Sequence, residues 1–347
     1  MVTVLRTTVC WRSVLAGLTA MAMLLTACHA EPPDRRSEVE RLTRLIAGMP
    51  GVEAASDTFN DSPAQGLVNF RIDVGVSDSL TGEQLAAITS RYLTELGSGT
   101  YRGYNAELDA RRGWNVFAVD SANRKIANTD QVIAQARDWV ALRHEFPLAT
   151  IALRATIAHP SGPLAVQELG HSDVARMELA DPSDYATVAG AVAVLSEKFL
   201  SLAAMGWTVT AGKLHPAVIT SSRRFPTAAE LDVWRRINAD QTIPHIDALR
   251  INDPVTPPLW YSEKTTQSRE VATALLLAAR HLPIVATLPA PVLYSASDQL
   301  SGHIGGSGSA RGPVAITIGG CTPRDPTVYQ PIPAEQALID RYGKCPR

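Results

Sequence analysis

Short strand-like apolar segments alternate with amphipathic helical segments from residue 37 to the end of the chain, and this alternation most constrains the fold. In residues 67–76 the apolar side chains fall at every second position, the period of a strand with one buried face. In residues 85–96 they recur three or four positions apart, as on one helix face. The sequence therefore predicts an α/β or α+β protein of repeated strand-strand-helix units, with a ferredoxin-like pattern in the N-terminal part, residues 37–96.

The expected elements follow from these two periods and from the turn residues between them. We expect strands near 52–59, 67–76, 114–119, 149–157, 174–179, 206–210, 216–220, 247–251, 291–295 and 313–318. We expect helices near 38–48, 81–96, 129–144, 182–204, 227–238, 267–282 and 333–342. Four helix starts carry capping signals: Ser37 with Glu40, Thr81 with Gln84, Asp181 before Pro182, and Thr227 with Glu230.

Eight side chains on the helical stripes are predicted to be buried against the sheet, because each lies on an apolar stripe spaced for one helix face. They are Leu42, Leu45, Ile88, Leu96, Val192, Leu195, Trp234 and Leu275.

The first 27 residues have the three parts of a secretory signal. Arg6 and Arg12 form a basic start, an apolar run of twelve residues extends from Val14 to Leu25, and small residues follow. A permanent membrane anchor is the alternative, but a spanning helix needs about 20 apolar residues. The sequence thus favours an exported chain whose signal, residues 1–27, is removed.

The residues Leu25-Thr26-Ala27-Cys28 resemble the lipobox of bacterial lipoproteins, in which an aliphatic residue and two small residues precede the cysteine that receives lipid. The resemblance implies lipidation of Cys28 and a membrane partner reached through that lipid anchor. Residues 28–36 would then form a short tether, and the body would lie at the extracytoplasmic face of the cell membrane. The preference for arginine over lysine is typical of a GC-rich genome, such as that of an actinobacterium.

The four cysteines fit this interpretation. Cys10 leaves with the signal and Cys28 is consumed by lipid, so Cys321 and Cys345 remain in an oxidising compartment. We expect a disulfide between them, although two free buried thiols are the alternative. Closing a loop of about 25 residues would stabilise the fold by roughly 3 to 4 kcal/mol.

The body is predicted to contain an N-terminal α/β module, residues 37–160, and a C-terminal α/β module, residues 161–347. The boundary is placed at the Pro- and Gly-rich segment 159–163, and one continuous domain is the alternative. Without the signal, the chain has 30 basic groups (32 minus Arg6 and Arg12) and 34 acidic groups. This acidic balance, without a basic stripe, argues against nucleic acid as a partner.

No motif names a catalytic residue or a cofactor. The glycine-rich segment 302–312, with Gly305, Gly306 and Gly308, resembles an anion loop, but a strand follows it where a phosphate cradle requires a helix. His171 lies near a serine and acidic residues, but a turn histidine explains it better. None of the eight histidines lies three to five residues from another, so we predict no metal ligands, and a metal site would have to be assembled by the fold.

These features favour a non-enzymatic lipoprotein of the cell envelope that binds a protein or cell-wall partner. A membrane-tethered hydrolase is one alternative, which a cleft holding a histidine, an acid and a serine together would support. A carrier of a lipid or another small ligand is the other alternative, which a closed apolar pocket would support.

Overall fold

The computed structural model describes residues 34–62, 67–121, 126, 128–157, 175–251, 256–289, 291–298, 313–322 and 330–345. Seven α-helices occur in this part of the chain: α1 (Arg36–Ala47), α2 (Gly82–Gly97), α3 (Thr129–Glu145), α4 (Tyr185–Lys198), α5 (Ala228–Ala239), α6 (Val271–Val285) and α7 (Pro333–Tyr342). Twelve strands accompany them: β1 (Val52–Ser62), β2 (Leu67–Val76), β3 (Asn105–Arg112), β4 (Asn115–Asp120), β5 (Thr150–Arg154), β6 (Ala175–Glu178), β7 (Trp207–Thr210), β8 (Val218–Ser221), β9 (His245–Ile251), β10 (Leu259–Thr265), β11 (Val292–Ser297) and β12 (Val314–Ile318).

The twelve strands form one mixed sheet whose spatial order is the order of the chain. The two strands of each successive pair, such as β1 with β2, are antiparallel. Neighbouring pairs are joined through a helix, and the strands that meet there, such as β2 with β3, are parallel. In the part of the chain that the structure describes, one unit of two strands and a helix therefore repeats six times after α1. The predicted fold class, α/β or α+β with repeated strand-strand-helix units, is confirmed.

The helices form a layer against one face of the sheet. Consecutive helices contact one another from α1 to α3 and from α4 to α7, and Lys198 of α4 forms a salt bridge with Glu145 of α3 at 2.7 Å. On β2, Phe70, Ile72 and Val74 are buried under this layer, while Arg71 between them is exposed. The core thus lies between the helices and one face of the sheet, as the period of two in the strands predicts.

The element predictions hold where the apolar pattern is strong and fail at two strands. β3 and β10 are absent from the predicted set because charged residues interrupt their apolar pattern, four in β3 and two in β10. On β3, Arg111 forms an ion pair with Asp109 and with Asp73 of β2 on the face that the helices leave uncovered. Charges paired across neighbouring strands let a polar segment form part of a sheet.

Two of the four capping signals are confirmed, since Thr81 with Gln84 and Thr227 with Glu230 form complete capping boxes. The other two are wrong. Helix α1 begins after Arg35 with no side-chain cap, so the Ser37 and Glu40 box does not form. Helix α4 begins three residues later than predicted, and Asp184 caps it in place of Asp181.

Six of the eight side chains predicted to be buried have at most 9% of their surface exposed: Leu42, Ile88, Val192, Leu195, Trp234 and Leu275. Leu96 is partly buried and packs against the core. Leu45 is 40% exposed, so its prediction is wrong. The buried face of α1 is formed by Val39, Leu42 and Ile46, and Leu45 lies outside that stripe.

The predicted disulfide between Cys321 and Cys345 is present, with the two Cα atoms 4.5 Å apart. It lies at the C-terminal end of the sheet, where Gly319 N donates a hydrogen bond to Tyr342 O and Lys344 N donates one to Gly320 O. The bridge therefore joins the segment after β12 to the segment after α7.

The predicted module boundary at residues 160 and 161 lies outside the described residues. The strands on either side of it, β5 and β6, pair antiparallel, so the sheet continues from one predicted module to the other. Among the described helices, none has the length and hydropathy needed to cross a membrane.

Candidate metal centre

Four ionisable side chains are buried together between the sheet and α6. We call them the histidine–carboxylate cluster: His245 and Asp247 on β9, Glu263 on β10, and His281 on α6. None of the four side chains is more than 2% exposed. Groups that carry charge are seldom buried in this way unless they are paired or hold a metal ion.

The cluster forms because polar residues occupy positions that the local pattern assigns to the core. β9 buries every second residue from His245 to Ile251, so His245 and Asp247 point to the same side as Leu249. Glu263 is the register partner of Asp247 on β10. His281 lies on the buried stripe of α6 that also contains Leu277 and Ala278.

His281 is held by Glu263. The Nδ1 atom of His281 lies 2.9 Å from each carboxylate oxygen of Glu263, and the hydroxyl of Tyr294 donates to Oε2 of that carboxylate at 2.7 Å. Burial raises the pKa of Glu263, and nearby Asp247 raises it further, while the hydrogen bond with His281 opposes the shift. Because Glu263 accepts hydrogen bonds here, we assign a proton to Nδ1 of His281.

His245 is held by the backbone. Its Nδ1 atom lies 2.6 Å from the carbonyl oxygen of Ile243, which can only accept, so Nδ1 carries a proton. Its Nε2 atom lies 3.4 Å from Oδ2 of Asp247. Asp247 also accepts a hydrogen bond from Asn238 Nδ2 at 2.8 Å. Burial disfavours protonation of His245, but the Asp247 carboxylate outweighs this and raises the pKa of His245 to about 9.

Asp240, at the end of α5, lies next to the cluster. Its Oδ2 atom is 3.5 Å from Nε2 of His281 and accepts hydrogen bonds from Arg280 Nε at 3.0 Å and Nη2 at 2.6 Å. Hydrogen bonds from Thr242 and Arg280 hold the pKa of Asp240 well below its usual range. Asp240 is therefore ionised and places a negative charge beside His281.

Four buried polar atoms in and next to the cluster have no hydrogen-bond partner among the described residues: His245 Nε2, His281 Nε2, Asp247 Oδ1 and Asn238 Oδ1. The two oxygen atoms are acceptors, and each Nε2 atom is an acceptor when its ring is neutral with the proton on Nδ1. Because the raised pKa keeps His245 protonated at neutral pH, a metal ion would have to displace the proton on Nε2 of that ring. A buried acceptor without a partner is costly, by about 1 to 3 kcal/mol each. A cation placed among the four atoms would satisfy them together.

The spacing of the side chains suits a single ion. One donor atom from each of His245, Glu263 and His281 lies within 4.8 Å of those of the other two. The two imidazole rings are 5.1 Å apart between centroids. Zinc bonds to nitrogen and oxygen are about 2.0 to 2.2 Å long, so small side-chain movements would let these groups surround one ion. Asp247, whose Oδ2 atom lies 3.4 Å from Nε2 of His245, is a fourth group within reach of the same ion.

A surface cleft of about 480 Å³ lies against the cluster. Its lining includes Tyr185, His215, Arg235, Asn238, Gln241 and His245. The hydroxyl of Tyr185 accepts a hydrogen bond from the backbone N–H of Asp247 at 3.0 Å, which connects the cleft wall to the cluster. Because the side chains of His245 and His281 are fully buried, this arrangement suits binding of a small ion better than chemistry on a large substrate.

The spacing of the histidines in the sequence predicted no metal ligands, so this cluster differs from the expectation. Residues 245 and 281 are far apart in the chain, and Glu263 lies on one of the two strands that the pattern did not predict. A usable signal was present in His245-Ile-Asp-Ala-Leu-Arg-Ile251, where a histidine and an acid continue the buried positions of a period-two strand.

The structure does not test the other candidate residues from the sequence. His171, Gly305, Gly306, Gly308 and the lipidation residue Cys28 all lie outside the described residues. Comparison with protein-family models, with curated proteins and with solved structures found no match.

Proposed function

We propose that this protein is a lipid-anchored envelope protein, not an enzyme, that binds a divalent first-row transition metal in the histidine–carboxylate cluster. The ligands would be Nε2 of His245, Nε2 of His281 and a carboxylate oxygen of Asp247. Glu263 would act from behind His281, because a metal-bound histidine commonly donates its other N–H to a carboxylate.

The observation that supports this proposal is the pair of buried Nε2 atoms without partners. In the alternative, His245 is protonated and pairs with Asp247, so the cluster is a plain internal ion pair. That arrangement leaves Nε2 of His281 with only the Asp240 carboxylate, 3.5 Å away, whereas a metal ion would contact both histidines. Imidazole and carboxylate ligands together suit zinc and its neighbours better than calcium or magnesium, which prefer oxygen alone.

Titration of the full chain, purified in detergent, with Zn²⁺ tests this proposal by isothermal calorimetry. We expect about one Zn²⁺ per chain in the wild type and loss of that site in a His245→Gln, His281→Gln double variant. A His144→Gln, His159→Gln double variant is the matched control and should retain the site. Equal Zn²⁺ binding by both double variants, or no binding by the wild type, would contradict the proposal.

The membrane part of the proposal rests on the lipobox resemblance at Cys28. In a bacterium that processes lipoproteins, a Cys28→Ala variant should lose lipidation and lipoprotein-type cleavage, as measured by radiolabelled palmitate and by the mass of the product. Cys10→Ala is the matched control, because that residue leaves with the signal. Labelling of the Cys28→Ala chain at the wild-type level would exclude Cys28 as the lipidated residue.

A ligand carrier is a second candidate, which a cavity of about 520 Å³ near the end of α2 favours. Its lining includes the apolar or aromatic side chains of Leu93, Leu96, Tyr101, Tyr104 and Ile126.

Gly97 also lines this cavity, and a Cβ atom there would meet nothing within 4 Å. A Gly97→Trp change adds a large side chain at the wall of this cavity and should reduce binding of an apolar fluorescent fatty acid. Gly190 of α4 has equally open surroundings, so Gly190→Trp is the control. Failure of the wild type to bind the probe would remove this candidate.

A further inference from the structure

Asp240 differs from the cluster residues beside it in its access to solvent. Its side chain is 23% exposed, whereas those of His281 and Glu263 are 0% and 1% exposed. It is the C-cap residue of α5, with φ −92° and ψ 78°, and so stands just past the helical turn. Its neighbours Asn238, Ala239 and Gln241 line the surface cleft. A metal ion that passes between the cleft and His281 would therefore come close to Asp240.

We infer that Asp240 is the outward, exchangeable ligand of the metal centre and that Arg280 controls how readily the metal leaves. This inference rests on the proposed metal binding. On this inference, the metal centre releases its ion to a chelating ligand in the surrounding solution and is not a closed structural site.

One oxygen atom carries this inference. Oδ2 of Asp240 accepts both hydrogen bonds from Arg280 and is also the atom 3.5 Å from Nε2 of His281. A metal bound to His281 would thus draw on the same oxygen as the guanidinium. A positive charge hydrogen-bonded to a carboxylate reduces the electron density that it can donate, so Arg280 weakens Asp240 as a ligand. Arg280 itself is 45% exposed and accessible to solvent.

The two members of this ion pair therefore have opposite effects on the metal. Without the Asp240 carboxylate, the outward ligand is lost and the ion should leave faster. Without the Arg280 charge, Asp240 becomes a stronger ligand and the ion should leave more slowly. A purely structural ion pair predicts something different, because either change breaks the same contact and both should shift the release rate in the same direction.

The test is the rate at which an excess of a coloured chelator removes Zn²⁺ from the loaded full chain, followed by stopped-flow absorbance. Changes to groups around a metal typically alter its binding by 10- to 100-fold. We expect about tenfold faster release from Asp240→Asn and about tenfold slower release from Arg280→Gln. Arg137→Gln is the control, since it breaks a comparably exposed ion pair with Glu83, at 2.8 Å, and should leave the rate unchanged.

The outcomes separate the two proposals. If the wild type takes up Zn²⁺ but both variants release it faster, both release it more slowly, or neither changes, the inference about Asp240 and Arg280 is overturned and the metal centre stands. If the wild type takes up no Zn²⁺, the metal centre itself is wrong and the inference falls with it.

Discussion

Asp247 and Glu263 face each other as register partners on the antiparallel strands β9 and β10, and both carboxylates are almost fully buried. Like charges directly opposite each other on a sheet are destabilising, and low local polarity strengthens the repulsion. Burial raises the pKa of Glu263, and the nearby Asp247 carboxylate raises it further. Two acids in this position need positive charge between or beside them, which protonated histidines or a metal ion can supply.

The first prediction is that metal stabilises the folded chain. At a free Zn²⁺ concentration of 100 times Kd, the free energy of unfolding should rise by about 2.7 kcal/mol, because the ion binds the assembled cluster and not the unfolded chain. Urea unfolding with and without Zn²⁺ measures this difference. His281→Gln should abolish the increase, and His144→Gln, on the exposed side of α3, should preserve it. An equal increase in both variants would place the ion elsewhere.

The second prediction concerns Glu263 as a positioning residue. Glu263→Gln removes the charge behind His281, so we expect Zn²⁺ affinity to fall by about 10- to 100-fold. Tyr294→Phe removes one hydrogen bond to the same carboxylate and should weaken binding less. Competition with a chelator measures the affinity.

The visible spectrum of the Co²⁺-loaded protein adds a readout that a general loss of stability would not change. The band positions should shift in Glu263→Gln because the ligand field of His281 is altered. An unchanged spectrum and affinity would show that Glu263 does not act on the metal.

The contrast between the predicted fold and the missed cluster has a physical cause. Strands such as β2 and helices such as α2 carry clear apolar periods, so their sequences predicted them closely. Arg111 of β3 pairs with Asp73 of β2, and Glu263 of β10 pairs with His281 of α6, so a single segment does not reveal these partners. The histidine–carboxylate cluster is still harder to predict from the sequence. Its formation depends on the register of β9 with β10 and on the packing of α6, and both involve contacts between residues distant in the chain.

The third prediction tests the helix-capping signals. The structure confirms the one at Thr81 and contradicts the one at Ser37. Thr81→Ala removes the cap of α2, where the Thr81 hydroxyl accepts a hydrogen bond from Gln84 N, and should lower the free energy of unfolding by about 1 kcal/mol. Ser37→Ala likewise removes a hydroxyl, but from a helix start that has no such cap, so its effect should stay within about 0.5 kcal/mol. Urea unfolding compares the two. Equal losses would mean that Ser37 does cap α1.

The last prediction concerns the bridge between Cys321 and Cys345, which are 24 residues apart. A double change of both residues to serine should lower the free energy of unfolding by roughly 3 to 4 kcal/mol, because the open chain regains the freedom that loop closure removes. The native hydrogen bonds from Gly319 N to Tyr342 O and from Lys344 N to Gly320 O should remain in the folded variant, since the two segments are already in contact. The loss should therefore appear in unfolding experiments and not as a change of fold by circular dichroism. Wild-type protein treated with a reductant should match the double variant. If reduction leaves the free energy of unfolding within about 1 kcal/mol of that of the oxidised protein, loop closure at this position contributes little to stability.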